Sequence, residues 1–209
     1  KVNEVGFWFS SLEKNIKFLS TTSLFLNWLK SREDAPGSLF ISTLQSLNKD
    51  LGLQSLSIVN RENDVVYNLG QHGLTISPQI KTNVEKAFST HEVQFSSIYF
   101  DYIDGFKYTY FDIVTTLTGS DQYALVMRLA ETELTFPFVQ QWPLISPSAE
   151  ALLFKKEGDG VLFLNNHRHK KPSALSKHVV NHKSSALTTQ VISGNTKPNE
   201  LIFGEDYRG

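Results

Sequence analysis

Tyr99, Tyr108, Tyr110, Asp112 and Arg128 are the residues of this chain best suited to holding a small molecule. A carboxylate accepts from an amine, a guanidinium donates in pairs to a carboxylate, and tyrosines add ring faces and hydroxyls. Period-two alternation sends Tyr108, Tyr110, Asp112, Val114 and Thr116 to one strand face and Thr109, Phe111, Ile113 and Thr115 to the other. The expectation is a polar site in which Asp112 meets an ammonium and Arg128 a carboxylate. The alternative has the tyrosines filling core and rim, with Asp112 and Arg128 pairing or facing water.

Other chemistries are poorly served. His167 and His169 would share a strand face, and His178 and His182 would align only on a helix. No carboxylate or cysteine stands at ligand spacing, so these histidines read as solvated members of a basic loop with Arg168, Lys170 and Lys171, and no metal is expected. There is no Gly-x-Ser-x-Gly elbow, phosphate-cradling glycine loop or His-Glu-x-x-His motif. No catalytic residue, enzymatic activity or cofactor is expected within these residues.

With 209 residues, 40% of them hydrophobic, the chain has enough apolar material for one substantial core or two small ones. A net charge of -1 lacks the basic footprint that phosphate backbones require, which excludes nucleic acid as an expected partner. The absence of cysteine removes disulfides and thiolate metal sites together. No apolar run approaches the roughly 18 residues needed to span a bilayer. The first residue is Lys1, and the expectation is a domain lying between two membrane anchors.

The elements that would position the site follow in order. Val2, Val5, Phe9, Leu12, Ile16, Leu19 and Leu26 form a stripe at spacings of three and four, interrupted at Ser23, with a second through Trp8, Phe18, Phe25 and Trp28. This predicts a long helix, read either as a buried core helix or as a dimer seam. It stops near Ser31 to Gly37; a shorter helix with Leu39, Phe40, Leu44, Leu47 and Leu51 ends at Gly52. A hairpin over Leu56 to Tyr67, a helix over Ser77 to Ser89 with Pro78 in its first turn, and strands at Val93–Phe100, Phe106–Leu117 and Tyr123–Leu129 complete a PAS-like order. A second hairpin spans Leu152 to Phe163, with a helix expected near Ser184 to Ser193 and a strand around Leu201 to Phe203. The recurrence suggests two copies of one module.

The stretch Phe136-Pro137-Phe138-Val139-Gln140-Gln141-Trp142-Pro143 is followed by Ser148-Ala149-Glu150, by Phe163-Leu164-Asn165-Asn166-His167-Arg168-His169 and by Gly204-Glu205-Asp206-Tyr207-Arg208-Gly209. With Leu125-Val126-Met127-Arg128 ahead of them, these pieces resemble in order and spacing the signature of double Cache sensors, the tandem PAS-like, PDC-type domains of bacterial membrane signalling proteins. Ala130-Glu131, Phe136 and His167 depart from the pattern, where Asp-Pro, Tyr and Leu are more usual.

The resemblance implies an α+β fold: a long N-terminal helix over 1–35, a membrane-distal PAS-like module over 36–142 and a membrane-proximal one over 143–209, each with an antiparallel sheet and the second incomplete at its C-terminus. It implies a periplasmic signal-input domain, anchored in the inner membrane and dimeric through the first helix. Such a domain binds an unidentified small molecule and moves helices coupled to a cytoplasmic diguanylate cyclase or histidine kinase. The alternative is a ligand-free dimerisation or protein-interaction module.

Overall fold

The computed structural model describes residues 2–23, 25, 27–28, 37–50, 52–70, 73–103, 105–130, 152–158, 160–164, 177–179, 187–194, 196–197 and 202–203. The chain divides into two compact units, Lys1–Leu134 and Thr135–Gly209. The first contains α1 (Val2–Thr21), α2 (Ser38–Asp50), β1 (Leu53–Asn60), β2 (Val65–Gly70), α3 (Pro78–Thr90), β3 (Gln94–Phe95), β4 (Tyr99–Ile103), β5 (Phe106–Thr116) and β6 (Tyr123–Ala130).

In α1 the residues at three- and four-residue spacing turn inward: Leu12, Ile16 and Leu19 are buried. The helix breaks at Thr22, where hydroxyls compete with the backbone ladder. Ser20, Thr21 and Thr22 each donate a side-chain hydrogen bond to the carbonyl three residues back, at Lys17, Phe18 and Leu19. The Ser20 carbonyl instead accepts from the Thr118 N–H, 3.1 Å away in the turn between β5 and β6. Helical conformation reappears at Ser23, Phe25, Asn27 and Trp28. The single helix expected over 1–35 is therefore interrupted.

All strand pairs of the sheet are antiparallel, in the order β2-β1-β6-β5-β3, with β4 also pairing to β5. Its two faces are covered differently. On one, Trp8 and Phe9 of α1 lie 6.2 and 5.8 Å from the Phe111 ring, while Phe40 of α2 sits 5.7 Å from Tyr67 and 5.6 Å from Trp28. On the other, Ile80, Val84, Ala87 and Phe88 of α3 pack with Val59, Leu74, Val114, Ala124 and Val126. Each fully buried aliphatic or aromatic side chain contributes about 1.5–3 kcal/mol of transfer free energy.

Local chemistry sets the ends of α3. Ser77 is its N-cap, its hydroxyl accepting from Ile80 N–H at 3.2 Å, and Pro78 occupies the first turn, where a missing N–H costs nothing. His91 closes it in the left-handed region at φ 56°. The hairpin from β1 to β2 turns through Asn63 at φ 70°, with the Asn60 carbonyl and side chain holding the loop.

The second unit holds an antiparallel three-stranded sheet, β7 (Phe154–Glu157), β8 (Gly160–Phe163) and β9 (Lys177–Val179), and a short α4 (Leu187–Ile192). Val161 and Phe163 are its buried centre, packed with Leu152, Phe154 and Ile192. The hairpin expected over Leu152 to Phe163 is present as β7 and β8. Two expectations are corrected. Ile202 and Phe203 are not in a strand, and Lys177–Val179, read as part of a basic loop or a helix, pairs with β8, so His178 lies on a strand opposite Val161. The segments 131–150, 165–176, 180–186 and 204–209 carry much of the double Cache resemblance, with His167, His169 and His182, and lie outside the described residues.

Candidate functional site

Register brings Asp112 and Arg128 together. They are direct partners across β5 and β6, so both point to the α3 face. Arg128 Nε donates to Asp112 Oδ1 at 2.8 Å and Nη2 to Oδ2 at 3.3 Å. Both residues are buried, Asp112 completely.

Tyr99 reaches the pair through a defect in the sheet. Phe95 pairs with Ile113 and Tyr99 with Tyr110, so three residues, Ser96, Ser97 and Ile98, stand opposite only Phe111 and Asp112. This is a β-bulge, and it splits the strand expected over Val93 to Phe100 into β3 and β4. Without the extra residue, Ile98 would face Tyr110 and Tyr99 would fall on the opposite face. With it, the Tyr99 hydroxyl donates to Asp112 Oδ2 and accepts from Arg128 Nη2 at 2.7 Å. Ser96 stabilises the bulge by accepting from Asp112 N–H at 2.8 Å through its hydroxyl.

Tyr110 lies under the guanidinium, whose carbon stands 4.3 Å from the ring centroid, a cation–π arrangement. Tyr108 stacks on Tyr110 at 6.2 Å and an interplanar angle of 6°, at the outer end of the row. All five residues singled out from the sequence therefore share one face, with Tyr99, Tyr110, Asp112 and Arg128 in mutual contact and Tyr108 against Tyr110. Asp112 and Arg128 pair with each other, the alternative weighed from the sequence.

The electrostatics follow from burial. Burial holds the Tyr99 phenol well above its usual range, and the Asp112 charge adds to this, so Tyr99 stays protonated. Burial also raises Tyr110. For Arg128, burial alone would lower the pKa, but the hydrogen bond and charge of Asp112 outweigh it and the guanidinium is held more firmly protonated.

The sequence reading missed the polar residues of β1 and β2 on the same face. Ser57 donates to Asn68 Oδ1 at 2.7 Å. Ser55, the Cα partner of Arg128, is 2% exposed, and its hydroxyl has no hydrogen-bond partner. The signal was the alternation of Ser55 and Ser57 with Leu56 and Ile58 inside one apolar run. Among the described residues no group of three His, Asp or Glu side chains could hold a metal, and no helix is long and apolar enough to cross a membrane.

No protein-family model matches the chain, and no curated protein matches it. Solved structures do. One is the extracellular domain of a protein described as the histidine kinase vpHK1S-Z8: 10% identity, 84% of this chain and 88% of that one covered, TM-score 0.52. Another is a domain of a protein from Vibrio parahaemolyticus described as sensory box/GGDEF family, at 10% identity, covering 78% and 86% with a TM-score of 0.49. The chain thus shares its fold with the extracellular domain of a signalling protein.

Proposed function

We propose that the chain is the extracytoplasmic signal-input domain of a membrane-anchored signalling protein. It binds a small molecule on the α3 face of its first unit and passes the change to a cytoplasmic output such as a diguanylate cyclase or histidine kinase. The observation that carries this reading is a polar row on the α3 face of the sheet, with Ser55, Arg128 and Asp112 buried and Tyr99 half-buried beside them. Burying polar groups is costly unless they are hydrogen-bonded, and in this row the Ser55 hydroxyl is not. A ligand acts by binding one arrangement better than another and shifts the balance by that difference alone. The domain itself carries no catalytic step.

The reading includes a homodimer through α1. Phe7 and Phe18 are 75% and 68% exposed on a helix whose other face is already packed, which leaves apolar surface for a second copy. A thermal-shift screen of amino acids, organic acids, amines and neutral metabolites tests the ligand. Stabilisation by at least one compound is expected.

The closed hydrogen bonding among Tyr99, Asp112 and Arg128 favours one alternative, a ligand-free dimerisation or interaction module whose polar row only fixes the sheet register. A screen in which no compound stabilises the protein would select that alternative.

A further inference from the structure

A second polar recess lies on the α2 side of the first sheet, across from Asp112 and Arg128. The chain leaves α2 through Gly52, whose φ of 63° brings its N–H to the Lys49 carbonyl at 3.3 Å and turns the backbone directly into β1. This sharp turn sets the last turns of α2 beside the start of β1 and the end of β2. Between them is a cleft of about 320 Å³, lined by Gln45, Asn48 and Lys49 of α2, Leu53 and Gln54 of β1 and Leu69 of β2. The three α2 residues stand at spacings of three and four, on one side of the helix. Leu69 shares a strand face with Tyr67, which packs on Phe40 of α2.

The cleft carries one sign of charge. Lys49 brings an ammonium, Gln45, Asn48 and Gln54 bring carboxamides, and no residue lining the cleft is acidic. Lys49 is exposed and has no ion pair among the described residues. Asn48 Oδ1 is closed off from solvent and has no hydrogen-bond partner. An enclosed acceptor without a partner is a standing cost, relieved when the carboxamide turns towards a donor in the cleft, and that turn breaks no hydrogen bond of the oxygen. Buried Leu53 and half-buried Leu69 give the recess a short apolar stretch.

We propose that this cleft is a second ligand site, separate from the α3 face, for a short hydroxy-carboxylate of the sugar-acid class. The carboxylate pairs with Lys49, one hydroxyl donates to Asn48 Oδ1, and the carboxamides of Gln45 and Gln54, which both donate and accept, take a further hydroxyl. One cation calls for one negative charge. An amino acid suits the cleft less well, since its ammonium meets no carboxylate among the lining residues, and a neutral polyol leaves Lys49 unused. The volume lies at the small end of the roughly 300–1,000 Å³ typical of ligand sites, as a short carbon chain requires.

The test is calorimetric titration of the full chain with glycerate, against propionate, which lacks the hydroxyls, and glycerol, which lacks the charge. Glycerate is expected to bind with a millimolar Kd and the other two more weakly. Lys49→Gln changes an exposed side chain, so it should keep the parent's thermal midpoint while weakening glycerate about fivefold, the worth of an exposed ion pair. Asn48→Leu removes an acceptor that has no partner, so it should keep or raise the midpoint while bringing glycerate down to the affinity of propionate. Glycerate binding unchanged in both variants overturns the placement. Propionate or glycerol binding as tightly as glycerate overturns the ligand class, and silence from glycerate at tens of millimolar overturns the site. None of these results bears on the α3 face, whose reading falls only if the wider thermal-shift screen is silent.

Discussion

Ser96 and Asp112 grip each other through two hydrogen bonds of 2.8 Å, from the Ser96 N–H to the Asp112 carbonyl and from the Asp112 N–H to the Ser96 hydroxyl. At a bulge the regular ladder fails, and the serine hydroxyl replaces a carbonyl that the extra residue has carried out of reach. Ser96→Ala leaves a buried amide unpaired and is expected to cost about 1–3 kcal/mol. Urea denaturation measures it. A change within about 0.5 kcal/mol of zero, the range of ordinary surface substitutions, would refute the role given to Ser96.

Arg128 and Asp112 lose more apart than together. Arg128→Met strands a buried carboxylate and is expected to cost about 3–5 kcal/mol, whereas Asp112→Leu combined with Arg128→Met should cost well below the sum of the singles. A double-mutant cycle read by chemical denaturation gives the coupling. Additive singles would mean that the two side chains do not depend on each other.

Alkali should unfold the protein partly through Tyr99. An unfolded tyrosine ionises near pH ~10, whereas the folded Tyr99 is raised by burial and by Asp112. Between those values the folded state holds the extra proton, so its contribution to stability is complete below the unfolded pKa and is lost as pH rises. Each such group steepens the fall by up to about 1.4 kcal/mol per pH unit. Tyr99→Phe should flatten the decline by one group's share in denaturation series above pH 10, with Tyr110 and Tyr67, both raised by burial, supplying the rest. An identical slope in the variant would contradict the assignment.

Side chains on the two sides of α1 should separate folding from association. Ile16 is fully buried, and Ile16→Ala is expected to cost about 2–5 kcal/mol. Phe18 is 68% exposed, so Phe18→Glu should leave the unfolding midpoint nearly unchanged while weakening the proposed homodimer. Analytical ultracentrifugation distinguishes the outcomes, and a Phe18→Glu protein that associates as the parent does removes α1 from the interface.

Wherever one face of an element is buried, its position was legible in the sequence. Ser77-Pro78 announced the start of α3, alternation along β5 sorted Asp112 from Ile113, and the polar turn at Asn60 to Asp64 announced the first hairpin. What escaped depended on pairing between distant segments. The Ser96-Ser97-Ile98 bulge has no alternation of its own and exists only because Asp112 supplies its partners. The stripe faltered at Ser23, yet the break itself falls at Thr22 and is stabilised by Thr118, almost a hundred residues away in the chain. The stripe through Trp8, Phe18, Phe25 and Trp28 mixed sides: Phe25 is buried and Phe18 exposed, and Phe7, outside both stripes, is the more exposed of the two. Strand β9 was missed because three residues are too few for a periodicity to register.

An interrupted helix transmits force differently from a continuous one. The Ser20 carbonyl accepts from the Thr118 amide, so the end of α1 is fastened to the tip of the β5–β6 hairpin. The same two strands carry Asp112 and Arg128, so rod and polar row share a single mechanical ground.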